Sequence, residues 1–214
     1  MKAKTQLLTG VALLIAGLGA AAVAQVNVVP SVGLQTGYLG KATYSAVWVG
    51  LVSGTTATDV VCISGSSTKL IKLLNLKLSG SATTSTTLPI TILHRGSLDT
   101  TGTAATGTAN PANTIAKRDQ TDGAASATLI SYTANPTIND SSPTYYDSQQ
   151  ISLAPTTAAT VQVPIYFDWS KDIENLVKPP TIALGTTTGQ ICANFNSTTV
   201  GGNVLTGSIS WTEE

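Results

Sequence analysis

The sequence is poor in the side chains that most catalysis and metal binding require. It has one histidine, His94, and two cysteines, Cys62 and Cys192. Charged residues make up only 10% of it, with a formal net charge of +0. A single histidine cannot build a multi-histidine centre, and the cysteines lack C-x-x-C spacing, so no zinc site is expected. His94 ends an apolar strand pattern beside Arg95, which points to a structural or solvent-facing role. No serine sits in a G-x-S-x-G turn, the strained elbow of one large hydrolase class. The balanced charge lacks the clustered Lys and Arg that phosphate binding needs, which excludes nucleic acid as a partner. Acidic residues fall mostly in turns and at the chain end, where they are expected to be solvated rather than paired for glycoside hydrolysis. No catalytic, cofactor-binding or metal-binding residue is therefore assigned, and the protein is expected not to be an enzyme. The weak alternative is calcium, for which Asn139-Asp140-Ser141 or Asp168, Asp172 and Glu174 would supply oxygen ligands without a D-x-D-x-D-G pattern.

What is present begins with an export pattern. Lys2 and Lys4 precede an uncharged run from Leu7 to Ala22, and Ala22-Val23-Ala24 is a small-x-small cleavage site. The expectation is a signal peptide over residues 1–24, cleaved between Ala24 and Gln25. A retained anchor helix is the alternative. Export places the mature chain in the periplasm, outside the cell or on its surface. There the two cysteines can form a disulfide, and a bridge closing so long a loop contributes roughly 4–5 kcal/mol in the chain-entropy view. Val61 and Ile63 flank Cys62, and Ile191 and Ala193 flank Cys192. Both thiols thus lie on the face opposite the apolar one, and they can bond only if their strands are neighbours in one sheet.

The remaining chain reads as β throughout. Val161, Val163, Ile165 and Phe167 alternate with polar or small residues, as do Leu205, Gly207, Ile209 and Trp211. Pro164 lacks an N–H donor and predicts an edge or a bulge in the first of these. Further strands are expected over Tyr44–Val52, Val60–Ser64, Lys69–Leu78, Leu88–His94, Ala127–Tyr132, Gln149–Leu153, Thr181–Leu184 and Gln190–Phe195, with one short helical turn over Ser170–Val177. About eight to ten short strands with turn punctuation predict an all-β fold, an antiparallel β-sandwich of jelly-roll type. An immunoglobulin-like sandwich is the alternative, although its Cys–Trp–Cys core pattern is missing. The expected organisation is a signal at 1–24, an N-terminal segment with the first strand at 25–57, and a sandwich domain at 58–214. Gly, Thr, Ala and Asn dominate Ser97–Ala125, which reads as a flexible loop within that domain. Tyr145-Tyr146, after Ser142-Pro143, is a candidate ligand-binding loop for glycans.

Three stretches resemble a set of poorly characterised β-rich proteins from the structural modules of tailed bacteriophages and prophages. They are Thr58 to Lys69 continuing through Leu76 to Thr84, then Ser131 to Thr137, and the terminal Gly207-Ser208-Ile209-Ser210-Trp211-Thr212-Glu213-Glu214. The resemblance implies a virion component of the head-decoration or fibre kind, without enzymatic activity and often trimeric. An export signal departs from that pattern, so two readings stand. Either the chain is an exported, surface-displayed relative, or residues 1–24 serve assembly or membrane association on a virion. The expected partners are copies of itself in a homo-oligomer, capsid or cell-surface components, or glycans. Aromatic residues at 5% make a modest core and leave room for a further apolar interface, with Tyr44, Val47 and Trp48 as candidate contacts, although packing within the monomer is the expected role of these three. A secreted glycan-binding or adhesion module is the alternative function.

Overall fold

β-Branched and aromatic residues in period-two order give the described residues eleven strands in a computed structural model. The structure describes residues 41–54, 56–103, 115–155, 162–171, 178–196 and 202–214. The expected signal peptide, its Ala24–Gln25 cleavage site and most of the Ser170–Val177 turn lie outside these residues. The strands are β1 (Ala42–Leu51), β2 (Asp59–Ser64), β3 (Ile71–Ala82), β4 (Thr86–Arg95), β5 (Ala116–Lys117), β6 (Leu129–Ser131), β7 (Thr144–Pro155), β8 (Ile165–Asp168), β9 (Thr181–Ile182), β10 (Gln190–Phe195) and β11 (Val204–Glu213).

They form one curled sheet in the order β5-β1-β11-β3-β7-β4-β10-β2-β6. The far edge of β3 is shared along its length: β9 pairs at Ile71–Lys72, β8 at Asn75–Leu78 and β7 at Ser81–Ala82. The protein is all-β, as its patterning predicts, but the sheet is mixed. β3 and β7 run parallel where Ser81 and Ala82 meet Ala154 and Pro155, and every other pairing is antiparallel among the described residues. At that junction the sheet passes from the β5-β1-β11-β3 half to the β7-β4-β10-β2-β6 half. The two halves enclose one core, consistent with a β-sandwich: Leu73, Leu76 and Ile209 line one small cavity with Val61, Ile92 and Ile191.

Two bulges keep the inner face apolar. In β1, Tyr44, Ala46 and Trp48 face inward, and Gly50 at φ 73° lets the strand shift register so that Leu51 returns to the core opposite Leu205. In β3, Leu74 is the extra residue, which moves the inward set from Ile71 and Leu73 to Leu76 and Leu78. Tyr44 stacks on Trp211 at 5.8 Å, and Phe167 on Trp169 at 5.7 Å. Gly207 must be glycine for packing reasons, since a Cβ there would stand 2.5 Å from the Trp48 ring. These contacts decide between the two roles open to the candidate contact residues: Tyr44 and Trp48 pack in the core of the monomer, and of the three only Val47 is exposed, at 51%.

The first strand belongs to the sheet, between β5 and β11, so the unit runs from Lys41 to Glu214 without a boundary at Thr58. Val161 lies outside the described residues; within 162–167 the strand begins at Ile165, and Val163 is 68% exposed, because Pro164 cannot join the ladder and pairing starts after it. The described parts of Ser97–Ala125 are anchored. Thr100 and Thr137 exchange backbone hydrogen bonds of 3.0 and 2.6 Å, and β5 pairs with Tyr44 and Ser45.

Candidate functional site

The polar side chains that the fold brings together lie on the outer face of the β4-β10-β2 half. Alternation sends Val61, Ile63, Ile191, Ala193 and Ile92 to the core and Cys62, Cys192 and Leu93 to the opposite face. In the ladder Cys192 stands opposite both Cys62 and Leu93. A bulge in β2 leaves Val60 in the core and turns Asp59 back to the cysteine face, opposite Asn194.

Cys62 and Cys192 form a disulfide between Cα atoms 4.1 Å apart, closing a separation of 130 residues. The bridge joins neighbouring strands of one half, unlike the inter-sheet bridge of an immunoglobulin domain. The sulfurs are on the non-core face that periodicity assigns them, yet both residues are buried. Leu93, Tyr132 and Ile130 pack around them in a second, smaller apolar cluster.

A charged cluster surrounds the bridge. Arg95 donates from Nε and Nη2 to the two carboxylate oxygens of Asp59, the latter bond at 3.0 Å, and from Nη1 to the Asp140 carbonyl at 2.9 Å. Asn194 donates to Asp59 Oδ1 as well. Because β10 lies between β4 and β2, this ion pair spans three strands. Asp99 stands above, with Oδ1 4.0 Å from Arg95 Nε and Oδ2 3.7 Å from Cys62 Sγ. A bridged sulfur carries no proton, so a hydrogen bond there needs the protonated Asp99 carboxyl as donor. Burial, followed by the Asp59 carboxyl beside it, pushes Asp99 up to about 7 against the pull of Arg95. The Tyr132 hydroxyl is pushed up to about 12, mainly by burial and then by Asp99 and Asp59. Asp99 Oδ1 and Gln190 Nε2 are buried without a hydrogen-bond partner.

A latched segment covers the cluster. Asn139 donates to the Leu98 carbonyl at 2.8 Å, Gly96 N–H to Asp140 Oδ2 at 2.6 Å, and Thr133 N–H to the Thr103 carbonyl at 2.8 Å. Chemically the arrangement can do two things. It fastens three strands and a covering loop together, and it concentrates sulfur and carboxylate donors. One ligand atom each from Asp59, Cys62, Asp99 and Cys192 fall within 4.8 Å of one another.

Asp59, Arg95, Asp99, Gln190 and Asn194 were not legible as a group, and the expectation of solvated carboxylates fails for Asp59, Asp99 and Glu213. A usable signal existed for two of them: Asp59 immediately precedes an apolar run, and Arg95 follows one after His94. Charges in those places tend to lie at strand ends that a neighbour can cover.

The other candidates are dispersed. Tyr145 and Tyr146 stand in strand β7, not in a loop, because pairing with β4 continues to Tyr145 opposite Leu93 and Thr144 opposite His94. They are 61% and 40% exposed. His94 is on β4, its pKa lowered by burial against the influence of Asp140. Of the suggested calcium ligands, Asp140 accepts from Gly96 and Ser142 N–H groups, and Asp168 Oδ1 accepts from Ser170 N–H at 3.0 Å. Asp172 and Glu174 lie outside the described residues. Among the described residues no helix is long and apolar enough to cross a membrane. The chain matches no protein-family model, no curated protein and no solved structure.

Proposed function

We propose that the protein is a non-enzymatic structural or surface-display protein, a phage virion component of the head-decoration or fibre kind or an exported relative of one. The observation that supports this reading is the fastening of the β4-β10-β2 face. A disulfide, a three-strand ion pair and a latched loop all stabilise the same surface. Such reinforcement suits a protein whose task is to persist in place. The resemblance of Thr58–Thr84, Ser131–Thr137 and Gly207–Glu214 to phage structural proteins points the same way. Association with further copies has a candidate surface in Val47, Val49 and Val52, which are exposed on or beside β1. Among the described residues β5 covers that edge only at Tyr44 and Ser45.

The test is location. Particles and cell-surface fractions from the native source, analysed by quantitative mass spectrometry, should hold the chain at a fixed stoichiometry with an N-terminus at Gln25. Its absence from both, or its presence only as a soluble cytoplasmic species, sinks the reading. A secreted glycan-binding module is the second reading, favoured by the exposed Tyr145. It requires glycan-array signals that Tyr145→Ala and Tyr146→Ala abolish.

A further inference from the structure

We infer that the disulfide cluster is a redox-gated metal site: opening the Cys62–Cys192 bridge creates a two-sulfur, two-oxygen site for a thiophilic divalent cation of the zinc type, completed by Asp99 and Asp59. Two independent observations carry this. The four candidate ligand atoms already lie within 4.8 Å of one another. A tetrahedral zinc site with ordinary bond lengths separates its ligand atoms by roughly 3.4–3.8 Å, so side-chain adjustments of about 1 Å bring the carboxylates into place as the sulfurs part. Second, the oxidised fold leaves a polar atom unsatisfied there. The Asp99 side chain is 0% exposed, and its Oδ1 has no hydrogen-bond partner. A bound cation supplies that partner. Asp59 remains competent as well. Its Oδ1 accepts from both Arg95 and Asn194, but Oδ2 accepts only from Arg95 and keeps a lone pair. Soft thiolates with carboxylates select zinc-like ions over calcium or magnesium, which prefer all-oxygen sites.

The gate is a thiol–disulfide exchange. A dithiol reductant attacks one sulfur of the bridge, and the mixed disulfide resolves to the reductant's own cyclic disulfide. Two electrons and two protons thereby pass to Cys62 and Cys192. The cation binds both sulfurs as thiolates and Asp99 as a carboxylate, releasing those two protons and the proton that Asp99 carries to solvent. The oxidised chain is thus metal-free at this site, and the reduced chain is metal-binding. This inference does not depend on a virion or surface role.

Cobalt(II) and zinc titrations of the full chain test it, after reduction with a phosphine that is itself converted to its oxide and does not compete as a thiol. The reduced protein should take up one cobalt ion with a thiolate-to-cobalt charge-transfer band and the intense visible bands of a four-coordinate ion, displaced by zinc. The oxidised protein should show neither. Asp99→Asn should weaken binding by roughly tenfold or more, while Asp119→Asn at an exposed turn should not change it. Far-ultraviolet circular dichroism in parallel should show the β signature retained or restored when zinc is added. Failure of the reduced protein to bind, equal binding by the oxidised protein, binding indifferent to Asp99→Asn, or a reduced chain that zinc cannot refold would each overturn the inference.

Discussion

Two buried carboxylates, Glu213 at the end of β11 and Asp99 above the disulfide, show how differently one chain can treat the same chemical group. Glu213 follows Trp211 at the period-two spacing and therefore points to the same side. Its oxygens accept from Ser126 N–H at 2.9 Å, Ala127 N–H at 3.0 Å, Trp211 Nε1 at 3.1 Å and the Ser126 hydroxyl. Burial pushes its pKa up, but these donors outweigh burial and hold it below the usual range. Asp99 has burial with only the Gln190 amide as a weak side-chain donor beside it, a carboxylate neighbour, and a guanidinium committed to Asp59. The lesson is that burial does not set the sign of a carboxylate's contribution; the number of donors aimed at it does. Glu213 pins the segment after β5 to the sheet end, whereas Asp99 is tolerated because the bridge and the ion pair around it fix the local structure.

Removing the bridge is expected to have the largest effect on this contrast. Cys62→Ala with Cys192→Ala should cost about 4–5 kcal/mol in the chain-entropy view, read as a lower denaturant midpoint. A loss below about 1 kcal/mol would mean that the ion pair alone fastens the face. Next, Arg95→Met strands a buried Asp59 charge and should cost about 3–5 kcal/mol, whereas Arg95→Met with Asp59→Leu should recover much of it. Non-recovery would show that Arg95 matters through Asp140 instead. Glu213→Gln turns an acceptor into a donor facing donors and should cost about 1–3 kcal/mol at neutral pH.

The opposite sign is expected of Asp99→Asn, which should be neutral at acid pH and stabilising by about 1 kcal/mol above pH 7. An equal loss for the two carboxylate variants would break the contrast. The pH profile sharpens it further. For Asp99, the ordinary value is 3.8 and the folded value about 7. Across that window the folded chain holds a proton that the unfolded chain has released. Its contribution to stability therefore falls as pH rises from about 4 to about 7 and is level above. Glu213 acts in reverse: its contribution is present above its ordinary value of 4.5 and is lost as pH falls through its lowered folded value. Between about pH 4 and pH 7 the melting temperature should therefore fall more steeply with rising pH in the parent than in Asp99→Asn. Parallel slopes in the two proteins would refute the assignment to Asp99.

Much of the fold was legible. Leu205–Trp211 and Leu88–His94 show a period that only a half-buried strand satisfies, and β11 and β4 lie where they were expected. The cysteines' face was also readable, because alternation is a local property. Three things were not. Whether Tyr44 and Trp48 pack inside the monomer or make an outside contact stays open in the sequence, because nothing local reports that Gly207, remote along the chain, leaves room for an indole. Tyr145 and Tyr146 read as a loop because the preceding Ser-Pro signal is real, and only the partner strand β4 extends β7 that far. Asp59 read as a solvated carboxylate because its turn back toward the cysteines depends on a bulge at Val60, which exists only against β10.

The sequence by itself determined that the described chain is β, which residues of each strand share a face, and that Cys62 and Cys192 occupy the face away from the core, since all of these follow from the two-residue period of an extended backbone. Tertiary structure alone decided that β2 and β10 are neighbours with the two cysteines in register, that β3 and β7 meet in parallel, and that Asp59, Arg95 and Asp99 converge under a latched loop. Pairing, register and burial are relations between segments distant along the chain, and their energies come from packing and hydrogen bonds that no single segment contains.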